Sequence, residues 1–117
     1  MLILSLTVPL SAISAEKRCG WLENPTPGNF WLIDADSEWT ISTQGGKFAT
    51  DETIDNLPEI NEKEFIRTNG YYGFYCACLS VKTDRAKSKI LQIYSGKQPP
   101  LKECLEDPKI SKKAPLR

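Results

Sequence analysis

Histidine is absent from the chain, and that omission removes Ser-His-Asp and Cys-His nucleophilic systems and every metal site built on imidazole. Neither sign of charge is in excess, because 15 Lys and Arg balance 15 Asp and Glu. A nucleic-acid binder needs a concentrated basic footprint, so nucleic acid is not expected as a partner. Long apolar runs are missing too. The longest, Leu2 to Leu10, falls far short of the roughly 20 residues of a membrane-spanning helix. A phosphate-cradling loop is also absent: Gln44-Gly45-Gly46 is not followed by Lys-Ser or Lys-Thr.

What is present reads as a short exported protein. Met1 to Ala15 carries no charge and passes from an apolar run to the small residues Ser11, Ala12, Ser14 and Ala15 before Glu16-Lys17-Arg18. That order predicts a signal peptide over 1–15, cleaved after Ala15. The mature chain then has no membrane anchor and is periplasmic or secreted. A total of 117 residues, 40% hydrophobic and 26% charged, suits one globular domain and is too short for two cores. The domain is expected over 16–108, followed by a basic, flexible tail over 109–117. Charge within the domain is uneven: between Asp34 and Glu64, nine acids face only Lys47 and Lys63.

Turn residues cut the chain into short alternating runs, the punctuation of an all-β or β-dominated α+β fold. The expectation is a small antiparallel sheet or barrel with a short C-terminal helix and two disulfides. Asn24-Pro25-Thr26-Pro27-Gly28-Asn29 reads as a stiff loop, since two prolines remove amide donors. Phe30 to Ile33 and Glu38 to Ser42 flank Asp34-Ala35-Asp36-Ser37 as a hairpin, with Trp39 and Ile41 alternating against Thr40 and Ser42. Residues 48–63 form an acidic excursion with room for one helical turn, ahead of a short strand over 64–68. Tyr71 to Thr83 is the longest strand. Phe74, Cys76 and Cys78 fall on one side, and Tyr75, Ala77, Leu79 and Val81 on the other, so it is central and covered on both faces. A last strand over 89–94 and a helix begun at Pro100 and stopped before Pro108 complete the order.

Cys19, Cys76, Cys78 and Cys104 are the four cysteines, and in an exported chain they imply two bridges with three conceivable pairings. Cys76 and Cys78 point the same way from one strand with Cα atoms roughly 6.5–7 Å apart, at or beyond the reach of a relaxed disulfide. Each therefore pairs with either Cys19 or Cys104, and the spacing leaves open which. A Cys76/Cys78 redox centre would need exposure and a nearby cation, which an apolar strand does not supply. A four-thiolate zinc site lacks close-spaced partners for Cys19 and Cys104. No metal and no cofactor is expected.

Catalysis has little to work with. Asp34, Asp36 and Glu38 offer carboxylates for glycoside hydrolysis, although acids at a hairpin tip are ordinarily turn formers, and calcium-loop spacing is absent. No catalytic residue is assigned. Aromatics remain for binding. Trp39, in phase with Ile41, belongs to the core, whereas Trp21 and Trp31 beside the Pro-Gly loop, with Tyr71 and Tyr72 at a strand entrance, are the candidate binding patch.

Arg18-Cys19-Gly20-Trp21, Asn24-Pro25-Thr26-Pro27-Gly28-Asn29, Glu38-Trp39-Thr40-Ile41, Gln44-Gly45-Gly46, Thr68-Asn69-Gly70 and Cys76-Ala77-Cys78-Leu79 together resemble the bacterial family catalogued as domain of unknown function 4087. The resemblance runs from about Arg18 to Pro108. It implies an exported bacterial protein with paired cysteines and carries over no site. Tyr75 departs from the pattern, where a smaller residue is usual. The function expected is a periplasmic binding or inhibitory module acting by surface contact on an envelope protein, a secreted protein or cell-wall glycan. The alternative is a small hydrolase or redox enzyme using the carboxylates or the Cys76/Cys78 pair.

Overall fold

The computed structural model describes residues 15–46 and 50–116, so the expected signal segment, Ala15 aside, lies outside the described residues. Among the described residues, six strands and two short α-helices follow in the order β1 (Glu16–Thr26), β2 (Asn29–Ile33), β3 (Glu38–Ser42), α1 (Asp51–Asp55), β4 (Phe65–Asn69), β5 (Tyr72–Asp84), β6 (Lys89–Lys97) and α2 (Leu101–Glu106). The β2–β3 hairpin, the helical turn in the acidic excursion, the long strand and the C-terminal helix stand where alternation and turn residues predict them. β1 does not. It is the partner of β5 over nine register pairs, from Glu16 opposite Val81 to Asn24 opposite Gly73, and it runs into the first half of the segment expected to be a loop, leaving Pro27-Gly28 as the turn to β2. Its pairing to β2 shifts register between Glu23 and Thr26. Pro25, which has no N–H to give, is tolerated at such an irregularity.

The strands form one mixed sheet in the order β1-β2-β3-β6-β5-β4, with β1 also paired to β5. Because β5 returns to lie beside β1, the arrangement β5-β1-β2-β3 is a Greek key, and insertion of β6 between β5 and β3 closes a five-stranded, partly open barrel. The expected antiparallel sheet therefore acquires one parallel seam, where Thr40 of β3 meets Lys89 of β6 and the Thr40 amide donates to the Ser88 carbonyl at 2.9 Å. Parity is the reason: strands cannot alternate direction all the way around a ring of five. β4 lies outside the ring, on the edge of β5 ahead of β6. Gly20 and Gly73 sit where β2 and β4 cross their partners, and a Cβ on either would press into the carbonyl of Ile33 or Ile66. Such close backbone approach is the use of glycine at barrel corners.

The two faces of β5 open onto two separate cores. Inside the ring, Tyr75, Ala77, Leu79 and Val81 pack with Leu22, Leu32, Trp39 and Ile41, and Ile54 and Leu57 from the α1 region close one end. Tyr75 is buried there, its ring centroid 5.9 Å from that of Phe65. Outside the ring, Trp21, Ile33, Phe74 and Cys76 are covered by Cys104 and Ile110. Trp21 meets Phe74 edge to face at 5.4 Å and donates its indole N–H to the Ile110 carbonyl at 2.8 Å. The tail expected to be flexible is therefore docked through Pro115, which is itself buried. Ile110 is buried, Ala114 packs on the outer core, and Lys113 Nζ donates to the carbonyls of Asp34 and Ala35 at 2.9 and 3.2 Å.

Candidate functional site

A groove of about 500 Å³ opens on the outer face of the barrel, and register explains its floor. Lys17, Ser80 and Ser95 stand in one row across β1, β5 and β6, and Cys19, Cys78 and Lys97 stand in the next. The rows are two residues apart on every strand, so all six side chains share one face. Pro99 and Glu103, at the start of α2, form the wall. Cys76 lies one row further on, opposite Trp21, and its bridge to Cys104 sets α2 at the groove's rim. The other bridge joins Cys19 to Cys78 between directly opposed residues of β1 and β5. Both cysteines of the central strand thus pair with distant partners, as strand geometry requires, and Cys76 and Cys78 form no redox pair with each other.

A second recess, of about 290 Å³, lies at the barrel mouth between the β2–β3 and β5–β6 loops and is lined by Arg18, Asp36, Ser37, Trp39, Arg85 and Ser88. Arg18 is 6% exposed and fills the mouth. Its Nη1 donates to Asp34 and Asp36 at 2.9 Å each, and its Nη2 donates to Glu16 at 3.0 Å. The guanidinium lies 4.2 Å from the Trp39 ring centroid, a cation–π contact. Burial works against its charge, but the hydrogen bonds to Asp34 and Asp36 outweigh burial and hold its pKa above the usual arginine value. Burial likewise pushes the Asp34 carboxyl up. Arg18, the amides of Ser37 and Asp36 and the Trp39 indole all donate to it, and together they leave it below the ordinary aspartate range. Glu16 is lowered by the Thr83 hydroxyl and then, against some desolvation, by Arg18 and Arg85.

That electrostatic arrangement bears on the hydrolase reading. A general acid must hold a proton near neutral pH, and Asp34 is held ionised as the counter-ion of a buried arginine. Asp36 is bound to the same guanidinium, while Glu38 is exposed at the start of β3. Among the described residues no cluster of three or more His, Cys, Asp or Glu side chains is arranged to hold a metal ion.

The candidate aromatic patch is divided by the fold. Trp21 is wholly buried and belongs to the outer core, because the C-terminal segment, invisible as a cover in the sequence, folds over it. Trp31 and Phe74 flank Glu23 in register on either side of β1, and Tyr72 is two residues from Phe74 on the same face. Trp31 and Tyr72, both half-buried, therefore share the turn end of the outer face. Tyr71 is 82% exposed in the adjoining turn, with the Arg67 guanidinium 5.0 Å from its ring centroid. The groove lies at the other end of this face, six residues along β5 and so roughly 20 Å away. Lys17, Ser80, Ser95, Lys97 and Glu103 were not legible as a group. Each is an unremarkable surface residue until strand register brings the rows together.

A family model described as "Protein of unknown function (DUF4087)" matches residues 13–111. The chain belongs to this family. Both disulfides, the groove and the barrel mouth of this DUF4087 member lie within the matched span. No curated protein and no solved structure matches it significantly.

Proposed function

We propose that this DUF4087 protein is an exported binding module that acts by surface contact through the outer-face groove. One observation carries the reading: the groove is an open concavity of about 500 Å³ in which Lys17, Lys97, Ser80 and Ser95 converge beside Cys78 and Pro99, and a concavity of that size with convergent polar groups is a common form of binding site. Lys17 and Lys97 on its floor favour a partner segment that presents a carboxylate beside an apolar side chain. The cellular side of the proposal is a periplasmic or secreted protein whose mature chain begins at Glu16. It draws support from two disulfides, which persist in oxidising compartments, and from the apolar, uncharged stretch over 1–15. Among the described residues, no helix is long and apolar enough to cross a membrane.

The test is affinity capture from an envelope fraction with three oxidised baits: the unmodified protein, Ser95→Trp to fill the groove, and Tyr71→Ala at the aromatic turn. A partner held by the unmodified and Tyr71→Ala baits but lost by Ser95→Trp is the expected result. Retention by the Ser95→Trp bait, or capture of nothing by any bait, overturns the reading. Loss with Tyr71→Ala alone moves the contact to the aromatic turn.

A further inference from the structure

The two disulfides occupy opposite environments. Cys76 and Cys104 are each 2% exposed, whereas Cys19 is exposed and Cys78 half-buried. Of that second pair, Cys78 lines the groove. We infer that the Cys19–Cys78 bridge is an exchangeable disulfide, reduced by an external protein dithiol that enters through the groove, while Cys76–Cys104 stays closed. This goes beyond surface contact, and small thiols can test it with no binding partner present.

Sulfur displacement requires the attacking thiolate to approach opposite the departing sulfur. Cys19, Cys78 and Lys97 stand in one row across β1, β5 and β6, and the S–S bond spans the first two strands. For attack on Cys78 Sγ, the open approach is therefore from the β6 side, which is the groove. Lys97 stands on that side to attract an incoming thiolate. The departing Cys19 thiolate is left at the surface, two residues from exposed Lys17 on the same face, and a neighbouring cation favours the thiolate form. The reaction balances as two exchanges. The first thiolate of the dithiol bonds to Cys78 Sγ as the Cys78–Cys19 bond breaks and Cys19 leaves as a thiolate, which then takes a proton. The second thiol of the donor, deprotonated, attacks the donor sulfur of the mixed disulfide and releases Cys78, which takes the second proton. Two electrons and two protons pass from the dithiol to this chain, and the donor becomes a disulfide. The fold has other means of keeping β1 in place, namely nine register pairs with β5 and the fully buried Trp21 and Leu22.

The experiment follows each bridge in the oxidised full chain by timed alkylation and peptide mapping, with dithiothreitol as the dithiol probe. Cys19–Cys78 is expected to open on the order of tenfold faster than Cys76–Cys104, because exchange follows access to the sulfur. Equal rates, or the reverse order, overturn the proposal. In glutathione with a rapid alkylating quench, the glutathionyl adduct is expected on Cys78 and the alkyl group on Cys19; the opposite placement overturns the entry route. Lys97→Glu is expected to slow opening by anionic glutathione several-fold with an unchanged far-ultraviolet circular dichroism spectrum, and an unchanged rate would count against the role of the groove.

Discussion

The inside and the outside of the barrel wall solve the same problem with different means. The inner core is ringed by strands and capped by the α1 region, and side chains such as Leu22, Leu32, Ile41 and Ile93 reach zero exposure without a disulfide among them. Among the described residues, no second sheet lies above the outer core around Trp21, Phe74 and Cys76. Its cover is a chain end of one six-residue helix and a short 3-10 turn. Ile110 is buried there and its carbonyl accepts the Trp21 indole N–H, but among the described residues no strand pairing joins this segment to the sheet. The Cys76–Cys104 bridge keeps the chain end beside the sheet, which explains why a disulfide is buried in this core and none lies within the barrel.

Cutting that tether should free the outer cover while leaving the barrel intact. Cys104→Ser opens a loop of sequence separation 28, for which the chain-entropy model gives about 4 kcal/mol. The expected signature is faster amide exchange concentrated in residues 99–116, with the barrel strands still protected; uniform loss of protection would mean that the two cores are one cooperative unit. Leu22→Ala strikes the other side. Its side chain is fully buried between Leu32 and Tyr75 in the barrel register, and truncation is expected to cost about 3 kcal/mol. A denaturation midpoint that falls equally by tryptophan fluorescence and by circular dichroism would show the inner core to be the global determinant.

The smallest effect sharpens the boundary at the barrel mouth. Asp34 has its carboxyl pKa depressed in the folded state by Arg18 and its other donors. Its contribution is therefore complete above the unfolded aspartate value of about 3.9 and is lost as pH falls through the lower folded value. Melting temperature should drop more steeply below about pH 4 in the unmodified chain than in Asp34→Asn, which is already less stable at neutral pH. Parallel acid limbs in the two proteins would show that the network closing the mouth does not set acid stability.

Several features were legible in advance because they are local. Two-residue alternation marked the inward and outward sets of β5, Asp34 to Ser37 marked the hairpin tip, and Pro100 with Pro108 bracketed α2. The spacing of Cys76 and Cys78 excluded a bond between them. β1 went unread because Arg18, Gly20 and Glu23 interrupt an apolar pattern. In the fold, Arg18 is neutralised by three carboxylates, two of them on the following hairpin tip, and Gly20 is required by the crossing of β2. Trp21 was misplaced because its cover comes from Ile110, 89 residues away.

A β-rich domain, a central strand apolar on both faces and the distant pairing of each of its cysteines are properties of the amino-acid order alone. Those properties follow from side-chain period, turn chemistry and the reach of a disulfide within a few residues. The pairing of Cys19 with Cys78, the parallel meeting of β3 and β6, the docking of the basic tail and the convergence of Lys17, Cys78 and Lys97 on one groove emerge from long-range contacts. The tail depends on the Cys76–Cys104 bridge and the packing of Ile110; the others depend on register between strands distant in sequence, where a slip of one residue turns every side chain to the opposite face. Register is set by the closure of the whole barrel.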